Sequence, residues 1–375
     1  MRLSDVITHL RSIASENLAE QWDKVGLQLG DPDWRLKKGA RGLLCIDLTE
    51  DVMAEAISKK SSLIVAYHPP IFQPLNALTT RDWKQRIILH AAQKKIAIYS
   101  PHTALDAARG GVNDWLCGGI GKGEIHVIDS RQLESDQYKI VTFVPADHVG
   151  KVRRAMAERG AGEIGNYVEC SFSGTGQGTF LGTEGANPYV GQAGQLESTD
   201  ELRMEMVCPE WFLAEVIAAM KHVHPYEEPA FDIYKLVSPP PAPDHEAGQG
   251  RVVDLAKPVT LKTLVSRVKR HLGMKRLKVA APADFDGQIS SVSLCAGAGV
   301  TVVTQAAHAD AYFTGEMRHH DVLDAVQQGK VVILAGHTNT ERPYLPVYKR
   351  RLSDLTGDQV EWTIATNDRA PCDIV

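Results

Sequence analysis

Apolar residues recur along the chain with two periods. Val6, Ile7, Leu10 and Ile13 fall three to four apart, as on one face of a helix, and Ser4 stands just before them as the expected N-cap. Nearly uninterrupted apolar runs at 42–47, 63–66 and 96–99 predict buried strands, and the segments 51–59 and 83–94 between them read as helices. This βαβ alternation predicts an α/β layer with a largely parallel sheet.

The pattern changes after about residue 138. Strand (139–144), helix (146–158), strand (167–172), strand (202–207), helix (211–222) and strand (230–234) follow in the ferredoxin-like order βαββαβ. The glycine-rich and polar run 174–198 reads as long hairpin loops. Prolines and then glycines mark 238–250 as a linker. Beyond it the first pattern resumes, with helices at 261–272, 300–307 and 319–328 and strands at 277–280, 292–296, 311–314 and 331–335. The simplest organisation is one bilobal α/β domain built from residues 1–130 and 250–375, with 136–238 inserted between its halves.

Composition narrows this picture. A chain of 375 residues is too long for one ordinary core, and 43% hydrophobic with 23% charged residues argues against disorder. The net charge of −5, with both signs interspersed, gives no reason to expect nucleic acid or an anionic membrane as partner. Residues 1–6 lack a signal-type apolar core, and no stretch reaches the roughly 20 apolar residues that span a bilayer. The expected location is cytoplasmic. Six cysteines without C-x-x-C spacing suggest neither a zinc ribbon nor a disulfide framework.

Chemistry concentrates at four strand ends, where open α/β sheets gather functional residues. His68 follows the strand at 63–66 and precedes Pro69 and Pro70. His102 and Asp106 follow the strand at 96–99. Glu316, His319 and His320 follow 311–314, with one of the two histidines expected to face inward and the other solvent. His337 and Glu341 follow 331–335, four apart, a spacing that puts both on one face of a helix. Each group has a plainer explanation as turn or helix-start chemistry. Four such ends together point to a metal site, and His with Asp or Glu but no cysteine suits zinc, iron(II) or manganese. Two ions sharing a carboxylate would suit hydrolysis. The run Cys295-Ala296-Gly297-Ala298-Gly299-Val300 reads as a tight strand-to-helix turn rather than a phosphate cradle, and the ligand-rich 222–229 as a rigid loop.

The chain resembles the NIF-three-like family, also labelled GTP cyclohydrolase I type 2. The resemblance rests on Glu20-Gln21-Trp22-Asp23-Lys24-Val25-Gly26-Leu27, Tyr67-His68-Pro69-Pro70-Ile71-Phe72, Ser100-Pro101-His102-Thr103-Ala104-Leu105-Asp106, Thr314-Gly315-Glu316 and Gly336-His337 with Glu341. It implies a dinuclear metal centre with ligands His68, Asp106, His337 and a bridging Glu341, and with His102 and Glu316 close by. Tyr67 stands where the family usually has a further histidine, and a phenol is a poorer ligand near neutral pH, so the expected count is one or two ions. The resemblance also implies a PII-like insert, a toroidal homohexamer, and metal-dependent hydrolysis of a nucleotide such as GTP. A metal-stabilised scaffold or small-molecule sensor without turnover is the alternative.

Overall fold

The computed structural model describes residues 1–130, 137–164, 167–237 and 247–372. Two compact units divide the chain, 1–132 with 241–375 in one and 133–240 in the other.

The first unit opens with α1 (Leu3–Ile13), whose Leu3, Val6, Ile7, Leu10 and Ile13 are buried. Its cap differs from expectation. The backbone N–H of Arg2 donates to Oδ2 of Asp5 at 2.6 Å, and Ser4 lies inside the helix. A carboxylate one turn in satisfies the helix start as well as a hydroxyl before it. There follow β1 (Gly26–Leu29), β2 (Ala40–Cys45), α2 (Glu50–Ser58), β3 (Leu63–Ala66), α3 (Trp83–Lys94), β4 (Ala97–Ser100), α4 (His102–Ala107), α5 (Val112–Cys117) and β5 (Gly123–Ser130).

The second unit contains β6 (Gln137–Val144), α6 (Val149–Ala157), β7 (Phe172–Leu181), β8 (Leu196–Pro209), α7 (Leu213–Val223) and β9 (Phe231–Lys235). The element order is βαββαβ, and the antiparallel sheet runs β7-β8-β6-β9. Much of the run expected as loop is instead paired, since Phe172 to Leu181 form a ladder with Glu205 to Leu196. Gly174, Gly176 and Gly178 erase the apolar alternation by which a strand is recognised.

The chain re-enters the first unit through β10 (Gly248–Thr260), followed by α8 (Leu261–Leu272), β11 (Lys278–Ala280), β12 (Gln288–Cys295), α9 (Val300–Val303), β13 (Ala311–Thr314), α10 (His319–Gln327), β14 (Val331–Leu334), α11 (Leu345–Thr356) and β15 (Val360–Ile364). Part of the expected linker, 238–246, lies outside the described residues. The remainder begins β10, a central strand rather than linker.

This unit has two mixed sheets where one largely parallel sheet was expected. One runs β1-β4-β3-β2-β15 and the other β11-β14-β13-β12-β10-β5. In the first, β4, β3, β2 and β15 are parallel and β1 is antiparallel; in the second only β12, β13 and β14 run parallel. The last strand, β15, pairs with β2 from the far end of the sequence. Period-two alternation sends Leu44 and Ile46 into the large core shared with β12 to β14, and Leu43 and Cys45 into a second core under α2 and α3. Burial on both faces explains why these strands read as apolar runs.

Candidate metal centre

The parallel strands of both sheets end at one place. His68 leaves β3 two residues past its end, and His102 opens α4 after β4. Glu316 follows β13, and His337 with Glu341 follow β14. The last pair is carried by a 3₁₀ turn, His337–Thr340, rather than the α-helix expected from i,i+4 spacing. The pair still converges, with His337 Nε2 3.4 Å from Glu341 Oε1.

Ligand atoms of His68, His337 and Glu341 all lie within 4.8 Å of one another. His68 Nε2 is 3.5 Å from Glu341 Oε2. These separations are long for hydrogen bonds but close to the ~3.0–3.4 Å between two donors that each sit about 2.1 Å from one ion. Glu341 is 3% exposed, and its buried Oε2 has no hydrogen-bond partner. Such an orphan carboxylate oxygen is costly unless a cation accepts it. Gly297 opens the remaining space: at φ +59° its backbone lies so close that a Cβ would stand 2.9 Å from Glu341 Oε1 and 3.1 Å from His337 Nε2. The donor set therefore fits a small divalent ion.

Each of three imidazoles is held through Nδ1 by a carboxylate. His68 meets Asp47 Oδ1 at 2.9 Å, His102 meets Asp23 Oδ1 at 2.7 Å, and His337 meets Glu316 Oε1 at 2.8 Å. A carboxylate on Nδ1 fixes ring orientation and leaves Nε2 for a metal or proton. The His68 ring centroid lies 5.3 Å from that of His102 and 5.4 Å from that of His337, so the three rings form one cluster. His102 holds a left-handed backbone, φ +32°, a strained conformation of the kind that collects at functional sites.

Asp106 and Tyr67 complete the interior. The Tyr67 hydroxyl donates to Asp106 Oδ1. Burial, reinforced by the charge of Glu341, pushes the Asp106 carboxyl well above its usual range, although the tyrosine bond pulls the other way. Burial also raises the Tyr67 phenol, with Asp106 and Glu341 adding to it. Burial would depress His68, but Asp47 and Glu341 outweigh it and push the imidazole up to about 10. Asp23 and Asp47 are lowered because their histidines outweigh burial. The site thus concentrates carboxylates that call for positive charge.

Among the expected residues, His68, His337 and Glu341 come together as one ligand group. Asp106 stands outside that group of three, bonded to Tyr67 and coupled to Glu341. Glu316 is exposed and acts through His337. His319 and His320 are both exposed, correcting the expectation that one faces inward; they open α10 and their rings meet edge to face with centroids 5.3 Å apart. The Gly297 turn is pinned by side chains from elsewhere in the chain, with its N–H on Thr340 Oγ1 and the Gly299 N–H on Thr314 Oγ1. Asp23 and Asp47 carried no assigned role in the sequence reading. Asp47 lies two residues past the end of β2, so the same strand-end rule would have found it.

The fold and site define a mixed α/β protein with a histidine–carboxylate cluster able to hold a divalent ion. The chain belongs to the Duf34/NIF3 (NGG1p interacting factor 3) family, whose model matches residues 1–371. A GTP cyclohydrolase 1 type 2 homolog of Halalkalibacterium halodurans is 36% identical over 346 residues, covering 92% of this chain and 90% of that protein. NIF3-like protein 1 of Homo sapiens is 33% identical over 383 residues, covering 100% and 93%. A solved Bacillus cereus protein related to NIF3 matches at TM-score 0.65 and 33% identity, covering 100% of this chain and 99% of that one.

Proposed function

We propose that the protein is a metal-dependent hydrolase acting on a nucleotide or related substrate. The observation that carries this is the Glu341 carboxylate, buried with an orphan oxygen between the Nε2 atoms of two carboxylate-anchored histidines. His68, His337 and Glu341 would hold one divalent ion, zinc, iron or manganese. Asp106 and His102, whose Nε2 has no partner among the described residues, are the donors for a second. An ion held there supplies Lewis acidity and makes water a nucleophile at neutral pH. Asp47, Asp23 and Glu316 keep the imidazole Nε2 atoms directed and basic. With no second ion on His102 Nε2, the His102–Asp23 pair can instead take and return a proton there.

GTP is the substrate to try first, because relatives are named GTP cyclohydrolase 1 type 2 homolog. The test is release of formate from GTP, with a dihydroneopterin product, by protein loaded with each metal. Wild type should turn over, and Glu341→Gln should keep its fold but lose both bound metal and activity. Complete inactivity of fully metallated wild type on GTP and a nucleotide panel would overturn the hydrolase reading.

The proposal extends to assembly and location. The βαββαβ unit, read as PII-like, exposes Tyr167, Val168, Phe172 and Leu196, each about 70% or more accessible. Apolar exposure on that scale supports self-association, here as a homohexameric ring. Light scattering on purified protein tests it, and a monomer would count against it. Six free cysteines, four of them buried, support a reducing cytoplasmic setting. Among the described residues no helix is long and apolar enough to cross a membrane.

A further inference from the structure

The βαββαβ unit holds a cavity of about 500 Å³, and none of its lining residues belongs to the metal centre. Gly176 and Gly178 on β7 leave the space, and the rings of Tyr189 and Tyr226 line it with centroids 6.0 Å apart and tilted by 45°. Both rings are braced. His148 Nε2 lies 3.1 Å from the Tyr189 hydroxyl. The Tyr226 backbone N–H donates to His224 Nδ1 at 3.1 Å, and His224 Nε2–H donates to the Phe143 carbonyl at 3.0 Å, so this buried histidine is neutral and structural.

The charge in the cavity is unbalanced. Glu201, Glu227 and Glu228 line it against one cation, Arg203, whose guanidinium is taken by Glu205 at 2.5 Å. Among the described residues, none of the three lining carboxylates has an ion-pair partner. Glu201 accepts the Tyr226 hydroxyl at 2.7 Å through Oε1. Its Oε2 lies over Gly178, where a Cβ would be only 2.4 Å away. The glycine therefore seats this carboxylate.

Aromatic faces beside uncompensated carboxylates attract a cation with a flat apolar body and repel phosphates and carboxylates. We propose that this cavity binds an organic ammonium ligand, a protonated amine on an aromatic body, with the amine at Glu201 and the body against Tyr189 and Tyr226. The site is independent of the metal centre, and Glu341→Gln should leave it unchanged.

Isothermal titration of the full-length protein with tryptamine tests this, with tryptophol as the neutral counterpart on the same indole and indolepropionate as the anionic one. Tryptamine should bind about tenfold more tightly than tryptophol, and indolepropionate most weakly. Glu201→Gln and Gly178→Ala should each weaken tryptamine about tenfold, the second by displacing the carboxylate while leaving it in the chain. Thermal melting identifies a variant that fails to fold, in which case the other decides. Equal affinity for tryptamine and tryptophol, no binding of tryptamine at millimolar concentration, or unchanged affinity in the folded variants would overturn the proposal.

Discussion

Nδ1 of His102 lies 2.7 Å from Oδ1 of Asp23, a partner 79 positions earlier in the chain. The other oxygen of Asp23 accepts the Thr103 N–H at 3.1 Å and the Thr103 hydroxyl at 2.5 Å. One buried carboxylate thus fixes both the ring and the first turn of the helix that carries it. Asp47 on His68 and Glu316 on His337 repeat the ring contact with less burial.

That gradient predicts an order of effects. Replacing each carboxylate by its amide should weaken divalent metal binding by about 10- to 100-fold where the partner is enclosed. Asp47→Asn, behind His68, should cost more than Glu316→Gln, whose carboxylate solvent already screens, while Asp23→Asn acts through His102 outside that ligand group and should mainly lower stability through Thr103. Metal competition with a fluorescent chelator measures the order. A larger loss for Glu316→Gln than for Asp47→Asn would refute it.

Gly297→Ala should separate the site from the fold. The left-handed backbone there, φ +59°, costs a non-glycine residue about 1 kcal/mol, which the large core can absorb. The added methyl would press within 2.9 Å of Glu341 Oε1 and 3.1 Å of His337 Nε2. A folded protein with metal affinity reduced about tenfold or more is expected, measured by circular dichroism beside metal analysis. Full metal retention would show that the carboxylate has room to move.

Much of this was legible because buried parallel strands advertise themselves as apolar runs and their ends carry the chemistry. Strand ends single out His68, His337 and Glu341, and the fold brings these three together. What was missed shares a physical cause, that polar atoms satisfied by distant partners look locally like loop. Strand β10 begins with Gly248, Gln249 and Gly250, which read as linker, yet Gln249 and the next residue, Arg251, are buried because the fold supplies carbonyl and carboxylate acceptors. Asp23 was likewise silent, since nothing local shows which histidine a carboxylate will meet.

Arg251 is the sharpest such case. It is 1% exposed, with Nε on Asp114 Oδ1 at 2.5 Å, one terminal nitrogen on the Gly248 and Gly250 carbonyls, and the other on the Ala107 carbonyl. Ala107 ends the helix that carries His102 and Asp106, so this planar fork ties β10 to the site. Arg251→Lys keeps the charge but cannot reach four acceptors, and the buried carbonyls left unpaired cost about 1–3 kcal/mol. Chemical denaturation should show a loss of that order, with metal affinity reduced in parallel. A loss under about 1 kcal/mol would place Arg251 in the low range of exposed ion pairs.

The closing segment of the first unit supplies a pH-dependent contact away from the site. Glu55 on α2 takes Lys59 Nζ at 2.6 Å, the Thr366 hydroxyl at 3.0 Å, and the backbone N–H groups of Thr366 and Asn367 at 2.9–3.0 Å. Burial alone would raise this carboxyl, but Lys59 and the donors from 366 and 367 outweigh it and bring it from 4.5 to about 2. A carboxylate depressed in the fold stabilises above its unfolded value, and that contribution fades as pH falls from 4.5 toward 2. The shift corresponds to on the order of 3 kcal/mol at neutral pH. Glu55→Gln should therefore lose on the order of 2–3 kcal/mol near neutrality, and its deficit relative to wild type should shrink steadily below about pH 4. Urea denaturation of both proteins from about pH 7 to about pH 3 reads this directly. A deficit constant across that range would mean that Glu55 acts through packing rather than through its charge.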